Sequence, residues 1–137
     1  MHTEHLRNLH PGWVVGGWLV AIAVTSVVYL TLVGTRLFPL GETGVLAVTL
    51  AVAVGFFAGG FFVGVRWSNA PALHGAGITL FGVLVWFVGA LALPGRFSLV
   101  RESAATVLGL ILVQLAASVA GGMTGRRRVV GPDDQAG

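Results

Sequence analysis

The chain has 137 residues, of which 55% are hydrophobic and only 9% are charged, with 21 glycines, no cysteine and a formal charge of +3. Water-soluble domains carry about 25% charged residues, so this composition excludes an ordinary soluble domain. The lack of cysteine excludes disulfides, thiolate metal sites and cysteine nucleophiles. All charged residues lie outside four uncharged runs, at 8–35, 43–65, 67–95 and 103–125. Each run is long enough for a transmembrane helix of about 20 residues, which predicts an all-α, four-transmembrane-helix bundle.

Turn residues and charges place the boundaries of the predicted elements. Residues 1–12 are polar, end in Pro11-Gly12, and are predicted to form a cytoplasmic or interfacial segment. A transmembrane domain at 13–125 follows, with spans at about 13–34, 44–65, 71–93 and 103–125. Pro71 suits the first turn of the third span, and Ser103 is the predicted cap of the fourth. Residues 126–137 are predicted to be a basic, disordered tail.

Arginine positions predict the orientation of the chain in the membrane. With a cytoplasmic N-terminus, that side carries five arginines and the opposite side three: Arg7, Arg66 and Arg126 to Arg128 against Arg36, Arg96 and Arg101. The excess favours cytoplasmic N- and C-termini in the cytoplasmic (inner) membrane. The cluster Arg126-Arg127-Arg128 is interpreted as a topology anchor and as a contact for anionic membrane lipid. One short basic cluster beside a span argues against nucleic-acid binding.

A shift of 60 residues aligns several rare residues at helix ends and turns. The aligned pairs are Pro11 and Pro71, Arg36 and Arg96, Glu42 and Glu102, and Arg66 and Arg126. The hypothesis drawn from this is two helical hairpins related by a pseudo-twofold axis along the membrane normal.

Glycine spacing is the most informative feature of the spans, because small residues let helices approach closely in lipid. The candidate helix-packing glycines are Gly55, Gly59, Gly60, Gly64, Gly75, Gly82, Gly89, Gly121 and Gly125. Span two is predicted to carry one groove on each side. Span four carries two small-residue faces, one with Ala105, Gly109, Ala116 and Ala120, the other with Gln114, Ala117, Gly121 and Gly125. Either all of these faces pack within one chain, or one of them, on span two or four, meets another subunit.

Few polar side chains are available for chemistry inside the predicted spans. None of the spans contains Asp, Glu, Lys or Arg, which argues against proton antiport through a membrane carboxylate. Gln114, with Ser118 one turn below it, is predicted to be a buried polar pair that forms an interhelical hydrogen bond or lines a pore. His74 and His10 could act as axial ligands to a haem or chlorin, or could be interfacial hydrogen-bonding groups.

The remaining sequence signals argue against catalysis. No nucleophile with a general base, no phosphate-binding loop and no metal-ligand set is visible, so an enzyme is not expected. A covalently bound cofactor is not expected either.

One local pattern is similar to a known group of proteins. The stretch Gly59-Gly60-Phe61-Phe62-Val63-Gly64-Val65-Arg66, followed by Leu73-His74-Gly75-Ala76-Gly77, resembles small uncharacterised four-helix bacterial integral membrane proteins. In these, a glycine-rich second helix precedes a Leu-His-Gly start of the third helix. The resemblance implies the four-span fold and a structural purpose for His74, and it implies no activity.

These patterns favour a non-catalytic integral membrane protein. The expected role is a structural, assembly or accessory subunit of a larger membrane complex, for example a respiratory or photosynthetic one. The alternative is a small homo-oligomeric channel or transporter with its pathway near Gln114, and a further alternative is a haem- or chlorin-binding membrane subunit. The expected partners are membrane lipids and either other membrane subunits or further copies of the chain.

Overall fold

Residues 9–35, 44–67, 69–92 and 103–129 are described here from a computed structural model of the chain. They form four α-helices: α1 (Pro11–Gly34), α2 (Gly44–Arg66), α3 (Pro71–Ala92) and α4 (Ala104–Val129). No strand occurs within these ranges. All four helices are long and apolar enough to cross a membrane, which marks the protein as integral to one. The predicted all-α four-helix fold is confirmed.

Local sequence explains where the helices begin. Pro11 and Pro71 are the first residues of α1 and α3, where a fixed φ and a missing N–H suit the first turn. Ser103 caps α4, because its Oγ accepts a hydrogen bond from the backbone N–H of Thr106 at 3.2 Å. The predicted start of the first span at residue 13 is therefore two residues late.

The end of α4 differs more from the sequence prediction. The helix continues through Arg126, Arg127 and Arg128 to Val129, so these arginines form its last turn and are not part of a disordered tail. Arginine is a good helix former, and its positive charge interacts favourably with the C-terminal carbonyl groups of a helix. Residues 1–8 and 130–137 of the two predicted terminal segments lie outside the described residues.

The helices form an up-and-down bundle with α2 at its centre. Helix α2 packs against both α1 and α4, and α3 contacts the other three helices, whereas α1 and α4 barely touch. The starts of α1 and α3 and the ends of α2 and α4 lie together, at what we call the His74 end of the bundle. The opposite end is called the far end.

Burial is concentrated toward the His74 end. The core cluster is formed by Ala21, Phe56, Val63 and Ile78. In α3 the last buried residue is Thr79, and in α4 the first is Ser118, so the far halves of both helices hold no buried residue in their described parts. Leu80, next to Thr79, is already 72% exposed. The bundle is therefore tightly packed at one end and more open to lipid at the other.

The helix starts and the helix contacts bear differently on the 60-residue repeat. Helices α1 and α3 start 60 residues apart, at Pro11 and Pro71, and so do α2 and α4, at Gly44 and Ala104. A twofold axis relating the hairpins would also make the α1–α4 contact equal to the α2–α3 contact. The second contact is present and the first is nearly absent. The repeat is therefore visible in the helix boundaries, while the packing departs from twofold symmetry.

Candidate functional site

Glycines at the crossing of α1 and α2 bring these helices into backbone contact. A Cβ atom added at Gly59 would overlap the carbonyl oxygen of Gly17 and the Ala21 side chain, and one at Gly55 would overlap Thr25 Oγ1. Such close approach maximises dispersion contacts between helices in lipid. The Thr25 hydroxyl is buried and has no hydrogen-bond partner among the described residues. This groove of α2 is covered by α1.

The second groove of α2 is filled by α4, which runs parallel to it. A Cβ at Gly60 would overlap the Ser118 carbonyl, and one at Gly64 would overlap the Gly122 carbonyl. The contact is reciprocal, because Gly121 lies against the backbone of residues 57–61 and Gly125 against that of residues 61–65. Both predicted grooves of α2 and the inner face of α4 are thus covered within the chain.

A buried polar cluster joins α3 to α4. Ser118 is fully buried, and its Oγ–H donates to the Gly75 carbonyl oxygen at 2.8 Å. Because that single hydrogen is used, the Thr79 hydroxyl, 3.0 Å away, is the donor to Ser118 Oγ. Gly75 lies against the Ser118 backbone, whereas Gly82 meets the side chains of Trp18 and Phe56. Close backbone contact on α3 is therefore shown at Gly75, and Gly89, further along α3, is half-buried.

His74 is the centre of a junction between three helices. The ring is fully buried. Its Nδ1 lies 2.8 Å from the carbonyl oxygen of Ala70, and its Nε2 lies 3.2 Å from the backbone nitrogen of His10. A carbonyl can only accept and a backbone N–H can only donate, so the neutral tautomer with the proton on Nδ1 satisfies both contacts.

The side chain of His10 has a separate role in the same junction. Its ring packs edge-on against Trp67, which follows the end of α2, with ring centroids 4.8 Å apart. The Trp67 Nε1 is buried without a hydrogen-bond partner among the described residues. The structure thus brings His10 and His74 together, but through a backbone N–H. Since both ring nitrogens of His74 are hydrogen-bonded, neither is free for the axial ligation considered from the sequence.

Gln114 and Ser118, which the sequence pairs, have different environments. Gln114 is half-buried on α4, above the first buried position of that helix. No hydrogen bond joins its side-chain amide to the described part of the chain. The interhelical hydrogen bond predicted from this pair is made by Ser118 alone. The Gln114 amide is left for water, lipid or a partner.

One small-residue face remains uncovered. We call it the outer face of α4, and its exposed residues are Ala105, Gly109, Leu112, Ala116, Ala120, Met123 and Arg127. Leu112 is 64% exposed, and a Cβ built at Gly109 would meet nothing within 4 Å. At 100° per residue these positions form one stripe along the helix, opposite the face that packs on α2. Like the inner faces it carries small residues, but no described helix packs on it.

Metal chemistry receives no support from the described residues. They contain no group of three or more His, Asp or Glu side chains that could hold a metal ion. All five acidic residues of the chain lie outside the described ranges. Arg66, Arg126, Arg127 and Arg128 are exposed at the His74 end, where they give that end a positive charge.

Comparison with protein-family models, with curated proteins and with solved structures finds no match for this chain.

Sequence reasoning missed the backbone N–H of His10, the Thr79 hydroxyl and the placement of Trp67. A backbone group has no signature in a sequence. Thr79 is expected to bond to its own helix, as Thr31 does to the Val27 carbonyl at 2.8 Å. The position of Thr79 in the sequence does not indicate that its hydroxyl meets Ser118 on α4.

Proposed function

We propose that this protein is a non-catalytic accessory subunit of a larger membrane complex, and that it docks through the outer face of α4. The described residues supply close helix-packing contacts and a few buried hydrogen bonds between helices. The observation that carries the proposal is the contrast between the two faces of α4. Its inner face is covered by α2, while an outer face that also carries small residues (Ala105, Gly109, Ala116 and Ala120) has no described helix on it.

Physical chemistry explains why this contrast favours a partner. Lipid chains solvate leucine as well as another helix does, so an outward-facing helix gains nothing from small side chains. Small residues contribute where a second helix comes close enough to contact the backbone. Among the described residues, eight glycines meet a neighbouring helix backbone in that way: Gly55, Gly59, Gly60, Gly64, Gly75, Gly121, Gly122 and Gly125. The small residues on the outer face of α4, Ala105, Gly109, Ala116 and Ala120, would allow a helix of another subunit to come similarly close.

Site-directed photo-crosslinking in native membranes tests this proposal. A photoreactive residue at Leu112, in the middle of the outer face, is expected to give a discrete adduct with one other membrane protein. The matched control is Leu84 on α3, which is 54% exposed and lies outside this face. The adduct at Leu112 should disappear with Ala116→Trp, which blocks close approach. Equal, diffuse labelling at both positions would contradict the proposal.

A channel or transporter is the second candidate, and Gln114 is the observation that favours it. Its amide has no hydrogen bond to a described residue and lies near the less packed half of the bundle. An uncompensated amide at membrane depth is costly unless water or a solute reaches it. Flux of water or small solutes in proteoliposomes that is lost in Gln114→Leu would place this function first. Equal permeability of protein-free and protein-containing vesicles would dismiss it.

A further inference from the structure

We infer that a pH-sensitive hydrogen bond holds the start of α1 on α3, and that protonation of His74 releases it. The segment concerned is Leu9 and His10, which we call the N-terminal strap. The strap lies at the His74 end of the bundle and is separate from the outer face of α4. Its release is therefore independent of the proposed function.

Three contacts hold the strap on the bundle. The backbone N–H of His10 donates a hydrogen bond to His74 Nε2 at 3.2 Å. The Leu9 side chain covers Gly77, since a Cβ built at that glycine would lie 3.4 Å from Leu9 Cδ1. The His10 ring packs edge-on against Trp67, after the end of α2. Only the hydrogen bond among these three contacts changes when an imidazole nitrogen of His74 gains a proton.

The hydrogen bond from His10 requires a neutral His74 ring. Because Nδ1–H donates to the Ala70 carbonyl oxygen at 2.8 Å, Nε2 has to carry the lone pair that accepts from His10 N–H. Protonation places an N–H on Nε2 as well, so two N–H groups face each other across 3.2 Å. The ring is fully buried, which leaves the new N–H and its charge without water. The ring can therefore bind the proton only after the strap has moved away, and acid favours the released form.

The other charged groups of the junction do not give this response. The start of α1 contributes the exposed ring of His10, and α3 has no charged or titratable side chain besides His74. The ends of α2 and α4 contribute exposed arginines: Arg66, Arg126, Arg127 and Arg128. Arginine stays charged throughout the range in which histidine titrates, and it has no acceptor for a ring N–H. Among the described residues at this end, the two histidines are thus the groups that change charge between about pH 8 and pH 5.

Amide hydrogen exchange of the full-length protein in phosphatidylcholine nanodiscs tests the inference. The protection factor of the His10 amide, which corrects for the intrinsic pH dependence of exchange, is expected to fall about tenfold between about pH 8 and pH 5. The amide of Ile78, a fully buried core residue, should keep its protection and show that the bundle stays folded.

Two variants assign the response to one ring, because residues 1–8 and 130–137 also contain titratable side chains. In His74→Gln a side-chain carbonyl oxygen replaces Nε2 as the acceptor and does not titrate, so the His10 amide should stay protected at both pH values. His10→Phe retains the backbone N–H and an aromatic contact with Trp67, so it should respond to acid as the wild type does. A response that persists in His74→Gln, or that disappears in His10→Phe, would overturn the inference.

Nitrogen NMR of the wild-type His74 ring provides a second measurement that needs no variant. Nε2 should gain a proton over the same pH range in which the His10 amide loses protection. Protection that stays constant down to about pH 5, or that is lost while Nε2 remains unprotonated, would also overturn the inference.

Discussion

His74 shows how one buried polar side chain can join the starts of two helices, α1 and α3. The imidazole accepts a hydrogen bond from the first residue before α1 and donates one to the residue before α3. The His10 ring extends the junction to Trp67, after α2. The junction depends on the ring of His74 and on the backbone of His10. These two histidines should therefore respond differently to substitution.

We expect His74→Ala to destabilise the bundle by about 2 kcal/mol, because it removes two hydrogen bonds and leaves a buried void. His10→Ala retains the backbone N–H and loses only the edge-on contact between the His10 and Trp67 rings, which contributes about 1 kcal/mol or less. Reversible unfolding in mixed micelles measures both values. Nitrogen NMR of the His74 ring should also show a protonated Nδ1 and an unprotonated Nε2. Equal losses for the two variants would contradict this assignment.

Ser118 provides the second prediction at this scale. Ser118→Ala should destabilise the protein by about 0.6 kcal/mol, the average for interhelical hydrogen bonds in membranes, and by no more than about 1.7 kcal/mol, the largest such value. The matched control is Thr124→Ala on the same helix, because Thr124 Oγ1 is exposed and donates only to the carbonyl of Ala120 in its own helix, at 2.7 Å. Unfolding measurements on both variants provide the comparison. If Thr124→Ala lowers the free energy of unfolding as much as Ser118→Ala does, the interhelical hydrogen bond of Ser118 stabilises the protein no more than a bond within one helix.

At the scale of elements, α2 and α4 use small residues for two different purposes. Helix α2 has a groove on each side, and both are covered within the chain. Helix α4 has one covered face and one bare face. The fold and the proposed assembly should therefore be separable by mutation.

A pair of glycine-to-alanine variants tests this separation. Gly60→Ala places a methyl group against the Ser118 backbone and should cost about 1 to 3 kcal/mol, because helix backbones cannot yield locally. Gly109→Ala has open space and should leave the isolated chain unchanged, or stabilise it by up to about 1 kcal/mol through helix propensity. Unfolding of the purified variants measures both. Comparable destabilisation by Gly109→Ala would mean that the outer face is packed.

Helix boundaries were predictable from the sequence, whereas helix contacts were not. A bilayer selects long apolar runs, and proline and serine begin helices for local reasons, so three spans were placed to within two residues. The end of α4 was missed because arginines were read as a tail, although they continue a helix well. Which groove of α2 receives which helix depends on three-dimensional packing, and periodicity cannot rank two similar faces. For the same reason the sequence offered both faces of α4 as candidates, and only burial distinguished them.

The whole molecule is packed unevenly along the membrane normal. Tight crossings and the His74 junction lie toward one end, and the far halves of α3 and α4 contain no buried residue in their described parts. Helix α2 still buries Ala47 and Ala51 in its far half. In the first hairpin, α1 and α2, burial thus continues closer to the far end than in the second hairpin, α3 and α4.

This asymmetry predicts a difference in motion between the two ends. Spin labels at Leu91 of α3 and Leu108 of α4, near the far end, should give a broader distance distribution than labels at Val15 of α1 and Met123 of α4. All four side chains are exposed, so labelling leaves the core intact. Fewer buried contacts permit larger local excursions. Pulsed electron resonance in nanodiscs measures both distributions, and equal widths would mean that the far halves are held as firmly as the His74 end.

The parallel crossing of α2 and α4 also constrains how the protein is made. During synthesis α1 can cover one groove of α2 as soon as the first hairpin is inserted, since the two helices are neighbours in the chain. The other groove, with Gly60 and Gly64, has to wait until residues 118 to 125 of α4 emerge. Until then this half of α2 is open to any other helix in the membrane. The bundle can close only after α4 has been made, and a chain cut before α4 would carry an unfilled glycine groove instead of a smaller stable fold.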